Sequence, residues 1–442
     1  MDASGRWGGF PTFGVAWHLG DEEFIQRLGF ISLIKLRYSW GQSGNAPTGT
    51  SPYIGKCSAV TPGYGDMSAV KPESPDLTHL KYETITSNNI GVDVGLFSDR
   101  ITFAVELYTK VTDDMLQKKI KVPSSTGLST VAWYNSGKME NRGWEFNIDV
   151  AAVRTKDWGL NFGFNISQNK NKVLELPENQ SDETYTFGNK KYAYRVLMGD
   201  PLGSFYGYRY KGVYQNVEET YAVDKTGQQI MDINGAPVVV KNGDQKVYPG
   251  DAKYEDVNGD GVIDENDIVY LGNSNPTLTG GLNFTLRYKK LSLVAALHGR
   301  AGQKVINESR INMENMYGKN NQSVAVLRRW RSEGDNTDIP RALYDKGYNY
   351  LGSDRFVEDA SFLRLKTITL KYQFPENWMK PLGINKLEIY ATGYDLFVWT
   401  KYTGQDPEIN LKNPDGSAAQ VAIDSNNTPK AMRFAFGLNL RF

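Results

Sequence analysis

MRFAFGLNLRF, residues 432–442, sets Phe434, Phe436, Leu438, Leu440 and Phe442 against Arg433, Ala435, Gly437, Asn439 and Arg441. Successive side chains of a strand point to opposite faces, so this segment has one apolar face and one polar or small face. A soluble sandwich would give the same alternation, so the rest of the chain has to decide. The pattern recurs along its whole length. Phe13, Val15, Trp17 and Leu19 share a parity, as do Ile34, Leu36, Tyr38 and Trp40. So do Ile90 to Leu96, Ile101 to Leu107, Trp144 to Val150 and Leu160 to Ile166, and later Leu282 to Tyr288 and Ile368 to Phe374. Shorter matches at Leu291–Leu297 and Leu387–Gly393, with an aromatic one at Phe205–Tyr214, bring the expectation to about eleven or twelve strands.

The second face separates the architectures. Gly, Asn, Asp, Arg and Thr suit a wet interior, whereas Phe, Trp, Leu and Val on the first face suit lipid. The expected fold is all-β, a transmembrane antiparallel β-barrel with a dyad repeat of about ten residues per strand. The runner-up on pattern alone is a large soluble all-β protein. Mean hydropathy is negative, and no apolar run approaches the roughly 20 residues of a spanning helix. Lys plus Arg and Asp plus Glu each number 50, so no net field points to nucleic acid. The 26 Tyr and 9 Trp would supply interfacial girdles. Cys57, the only cysteine, excludes an intrachain disulfide.

Connections alternate in length. Phe97-Ser98-Asp99-Arg100, Arg154-Thr155-Lys156-Asp157 and Lys289-Lys290 are turns, while Trp40 to Asn89, Leu107 to Trp144, Ile166 to Leu278, Leu297 to Thr367 and Gly393 to Met432 are long. Barrels of the outer membrane have short inner turns and long outer loops, which places the long connections outside the cell. The longest is expected over residues 168–275.

Within it lies Asp256-Val-Asn-Gly-Asp-Gly-Val-Ile-Asp-Glu-Asn-Asp267. Oxygen donors at loop positions 1, 3, 5, 9 and 12, a backbone carbonyl at 7 and Gly at 6 form the arrangement that wraps Ca²⁺. The expected ligands are Asp256, Asn258, Asp260, the Val262 carbonyl, Asp264 and Asp267, holding a structural calcium ion at 256–267. Asp267 stands where Glu is usual, which shortens the bidentate reach. The competing reading is a pair of Asn-Gly and Asp-Gly turns with solvated carboxylates.

No catalytic motif appears, and the expectation is that the chain is not an enzyme. His18, His79 and His298 are far apart in sequence. By parity His18 and His298 face the lumen, as do Arg37, Asp93, Glu106, Glu145, Asp149 and Arg287, each read as hydrating or cross-linking the wall. Tyr206, Tyr208, Tyr210 and Trp399 are candidates for stacking on sugar rings, with girdle or loop-packing roles weighed above it.

IKLRYSWGQSGN (34–45), NNIGVDVGLFSDRITFAVELYTKVTDDML (88–116), GKMENRGWEFNIDV (137–150), GDPLGSFYGYRYKGVYQ (199–215), the 254–288 stretch around VNGDGVIDEND, EDASFLRLKTITLKYQFP (358–375) and LEIYATGYDLFVWTKYTGQDPE (387–408) resemble the C-terminal barrel portion of SusC-like TonB-dependent transporters. The resemblance runs collinearly from Trp7 to Phe442. It implies a 22-stranded barrel of which this is the C-terminal half, placed in the outer membrane among its lipids. It further implies import of oligosaccharide or peptide, energy from a TonB–ExbB–ExbD complex acting through an N-terminal part, and a SusD-like surface lipoprotein over the mouth. The signal peptide and plug that such members carry are not expected in this chain, because Met1-Asp2-Ala3-Ser4 has no charged and apolar leader. Two other classes are set beside this one: a self-closed outer-membrane channel or enzyme, and a calcium-dependent surface binding protein.

Overall fold

A computed structural model describes residues 7–442 apart from 49–52, 62, 64, 66, 122–123, 129, 177–191 and 413–420. One antiparallel sheet dominates it. Its eleven strands pair in chain order. They are β1 (Thr12–His18), β2 (Ile31–Asn45), β3 (Glu83–Leu96), β4 (Ile101–Asp113), β5 (Lys138–Arg154), β6 (Trp158–Glu175), β7 (Leu278–Tyr288), β8 (Leu291–Ala301), β9 (Phe362–Gln373), β10 (Lys386–Thr400) and β11 (Arg433–Arg441). Among the described residues β1 and β11 each have one neighbour, so the sheet is open at both edges. A self-closed barrel of even strand number is not formed by these strands.

Register carries the parity across the sheet. Leu107 faces Trp144, Phe162 faces both Val150 and Phe284, and Ile389 faces Leu438. One face is therefore a continuous apolar band, much of it open to the surroundings: Phe13, Trp17, Leu107, Leu370, Phe434 and Phe436 are all exposed. Among the described residues no helix is long and apolar enough to cross a membrane. Each of the nine inner strands of the sheet is paired on both sides, so its backbone groups are satisfied within the sheet, as a strand in lipid requires.

The short connections are tight as expected. Phe97, Ser98 and Asp99 take φ of 55°, 56° and 59° in succession, a left-handed run rare outside glycine. Ser32 Oγ donates to Asp99 Oδ1 at 2.7 Å and the Phe97 N–H to the Phe30 carbonyl at 2.7 Å, which hold the turn in place.

Two expectations need correction. Phe205–Tyr214 contributes no strand to the main sheet; it forms Ser204–Gly207 and Tyr210–Val213, which pair with Val269–Asn273 and Ala252–Tyr254. Its alternation reflects a two-sided environment inside the outer segment. The boundary of that segment also shifts: β6 continues to Glu175 and β7 begins at Leu278, so the connection is 176–277 rather than 168–275.

Candidate functional site: lumen wall and outer cap

The wall expected to face the lumen is a cross-linked polar surface. Arg37 on β2 places Nε 3.2 Å from Asp93 Oδ2 on β3 and Nη2 3.2 Å from Glu106 Oε2 on β4, while Asn89 donates to Glu106. Three strands are thereby tied by one guanidinium, whose rigid fork suits two carboxylates. Glu145 lies opposite Glu106 in the register. Asp149 faces Gly163, where a Cβ would approach Asp149 Oδ1 to 2.5 Å, so a larger residue would displace that carboxylate. Arg287 donates to the Thr155 carbonyl at 3.2 Å near the inner turn. His298 packs edge-on against Phe362 with ring centroids 5.8 Å apart, and His18 lies opposite Lys35 on the edge pair. His79 lies in the connection before β3, so the three histidines are not brought together.

A second cluster escaped the sequence reading. Paired irregularities interrupt β9 between Leu365 and Thr367 and β10 between Tyr394 and Phe397, where Asp395 takes φ 52°. Beside them Arg364 and Lys366 meet Asp406 and Glu408, and Asp395 lies next to Lys366 and Arg433. Arg364 Nη2 meets Asp406 Oδ1 at 2.5 Å with side chains 3% and 9% exposed, and its Nε lies 3.3 Å from Glu408 Oε2 without being aimed for a hydrogen bond. Lys366 and Lys430 reach Glu408 at 3.2 and 2.5 Å. Burial pushes the Glu408 carboxyl up, but the hydrogen bonds from Lys430 and Lys366 outweigh it and hold it below the usual range. Lys366 and Arg433 approach Asp395 at 3.6 and 3.9 Å. A sequence signal did exist: Leu363 and Leu365 carry odd parity and Ile368 and Leu370 even, and such a slip marks a bulge.

The long outer connections knit into a cap with its own cores. Tyr206, Tyr208, Tyr214, Tyr254, Ile263 and Leu351 pack in one, and Phe205, Ile306, Phe356 and Val421 in another, so residues 192–277, 302–361 and 421–423 share apolar contacts. Polar ties run beside them. Arg341 grips Asp251 with two bonds of 2.7 and 3.1 Å, the Tyr192 hydroxyl donates to the Ser353 carbonyl at 2.7 Å, and the Ala422 N–H donates to Ser274 Oγ at 2.7 Å. Tyr206 and Tyr208 are buried, and the Tyr210 hydroxyl donates to the Asp338 carbonyl at 2.6 Å. These tyrosines pack loops. Trp399, exposed beside Phe397 at 6.1 Å, sits in the outward aromatic row.

The acidic loop is wound on itself. Asp256 accepts from the Gly259 and Gly261 N–H groups, each at 2.7 Å, with those glycines at φ 72° and 81°, where other residues are strained. Asn258 Oδ1 accepts from the Asp260 N–H at 3.1 Å and Asp260 Oδ1 from the Val262 N–H at 2.8 Å. Val262–Ile263 pairs with Lys241–Asn242, and Asp264 and Asp267 cap a short 3-10 turn reciprocally. Asp267 is fully buried, and that burial first, then Asp256, pushes its carboxyl up. Among the described residues no three His, Cys, Asp or Glu side chains cluster so as to hold a metal. None of the described ion pairs involves Asp256, Asp260, Asp264 or Asp267 either. In charge and donor type these residues, with the Asn258 amide and the Val262 carbonyl, fit a hard divalent cation.

Comparison with known proteins accords with this geometry. The profile of the family described as TonB dependent receptor-like, beta-barrel matches residues 2–238. TonB-dependent receptor P3 of Formosa agariphila is 30% identical over 98% of this chain and 42% of its own length. TonB-dependent receptor SusC of Bacteroides thetaiotaomicron is 28% identical over 99% of this chain and 40% of its own length. The chain thus spans about four-tenths of the curated relatives it matches. The solved RagAB peptide transporter shares the fold, with a TM-score of 0.77 at 23% identity over 99% of this chain and 44% of that one.

Proposed function

We propose, from the premise that this chain belongs to the TonB dependent receptor-like β-barrel family, that it forms the C-terminal wall and outer cap of an outer-membrane nutrient importer. The carrying observation is the pairing of a polar, ion-paired inner wall with an apolar outward band, topped by a cap bound to that wall through Arg364, Asp406 and Glu408. A conduit for hydrophilic cargo needs the first two, and a gated one needs a cap with a fixed footing. Oligosaccharide or peptide fragments are the cargo we infer: the SusC-like resemblance of the sequence supports both, and the name of the RagAB peptide transporter supports peptide. Energy through TonB and a SusD-like lipoprotein over the mouth belong to the same proposal. Named relatives are receptors rather than enzymes, and the chain carries no catalytic role in this reading.

We also propose calcium as a structural ion for 256–267, where it would neutralise carboxylates that none of the described ion pairs engages. Asp256, Asn258, Asp260, the Val262 carbonyl, Asp264 and Asp267 would hold it. It would stiffen the turn beneath Tyr208, whose hydroxyl donates to the Asp264 carbonyl at 3.0 Å.

The test is uptake of labelled oligosaccharides and oligopeptides by cells lacking the gene and by complemented cells. Import that needs both the gene and the proton-motive force supports the proposal. Gene-dependent entry that survives collapse of the proton-motive force would make this a passive channel instead.

A further inference from the structure

The outward face changes character within one step near the outer ends of β2 to β6. Tyr38, Ile90, Leu107 and Trp144 stand in one cross-strand row, with Gln168 opposite Trp144. The next row toward the long connections is Trp40, Asn88, Thr109, Arg142 and Lys170. Arg142 and Lys170 are exposed and directly opposed, and like charges so placed repel. Neither takes part in any of the described ion pairs, nor does Lys172 in the row above, where Glu140 is its cross-strand neighbour. Trp144 Nε1 donates to Gln168 Oε1 at 3.1 Å, which fixes the indole below Arg142. Between these side chains lies a hollow of about 470 Å³ lined by Tyr38, Leu107, Thr109, Arg142, Trp144 and Lys170.

We propose that this hollow binds the phosphate headgroup of an outer-leaflet lipid, its acyl chains lying along Leu107 and Val105. The inference rests on the apolar face meeting the membrane. Two opposed cations without a carboxylate between them are neutralised by one phosphate, and amphipathic rings sit at the depth where chain gives way to headgroup. Free phosphate would meet the cations but leave the apolar floor bare, so the site selects a lipid.

Native mass spectrometry of the intact receptor in non-ionic detergent tests it, with phosphatidylglycerol, a galactosyl diacylglycerol that lacks phosphate, and inorganic phosphate as separate probes. Phosphatidylglycerol should be retained at roughly tenfold lower concentration than the galactolipid. Arg142→Gln with Lys170→Gln should erase that preference, and Lys170→Arg should keep it. Should the double variant not assemble, Lys170→Gln alone should lower the preference several-fold. Equal retention of both lipids, a preference unchanged by neutralisation, or displacement of lipid by millimolar inorganic phosphate would each overturn the proposal. The need for detergent would survive such a failure, so it would not touch the barrel assignment.

Discussion

Removing Arg364 should free residues 401–412 and 421–432 from the wall. The Arg364 and Asp406 side chains are 3% and 9% exposed, so solvent screening does not erase their attraction. In Arg364→Ala, Asp406 keeps the N–H of Glu408 at 2.9 Å and the N–H of Lys430 at 3.2 Å, while Glu408 keeps Lys366 and Lys430. Stripping one partner from a buried pair costs roughly 3–5 kcal/mol, and the surviving bonds put this case at the lower end, about 3 kcal/mol. That corresponds to about a 100-fold larger opening constant. Hydrogen exchange followed by mass spectrometry should show it as faster exchange over residues 402–412 and 421–432, with β11 as the internal reference. Arg364→Met combined with Asp406→Leu should recover most of the protection, because neither partner of the pair then leaves a buried charge uncompensated. Unchanged exchange in Arg364→Ala, or an equal rise throughout β9 and β11, would refute the reasoning by showing that the pair is not what tethers the segment.

Calorimetry should detect calcium binding that Asp256→Ala with Asp260→Ala abolishes; a titration the double variant leaves unaltered removes the site. Burial raises Asp267 above its unfolded value, so without calcium its contribution to stability is present at low pH and lost as pH rises through the raised value. Calcium takes the ionised form, so affinity should fall on acidification starting above the ordinary aspartate range, with proton release visible in buffers of differing ionisation heat. In a Cys57→Ser background, needed because that thiol is exposed, Phe284→Cys and Leu286→Cys should resist a water-soluble maleimide in membranes while Asn283→Cys labels. Reversed labelling would invert the two faces.

How much of this was written in the order of residues depends on the range of the interaction. Period-two alternation is local, so the strands from Phe13 to Phe442 and the turns at Phe97 and Lys289 are legible. Phe205–Tyr214 misled because a loop strand packed on both sides carries the same period. Its partners, Ala252–Tyr254 and Val269–Asn273, are set by contacts that no window of sequence contains. The Arg364 cluster was missed for a related reason: a bulge shifts parity by one, and only the register shows which face Lys366 and Asp395 then meet. The acidic loop was legible as a turn with donors at set spacing, yet Asp267 is fully buried only because the surrounding cap folds over it.

The cap also imposes an order of assembly. Each barrel strand closes on the strand before it in the chain, but Tyr192 waits for Ser353, Ser274 for Ala422 and Ile306 for Ile423. The first two contacts are separated by 161 and 148 residues. Closing such spans loses chain entropy before any packing compensates, which makes distant contacts the slow ones. Until residue 423 is in place, the apolar centre formed by Phe205, Phe356 and Val421 has no third side. The cap therefore acquires its roof only after ten of the eleven described strands of the main sheet have been made.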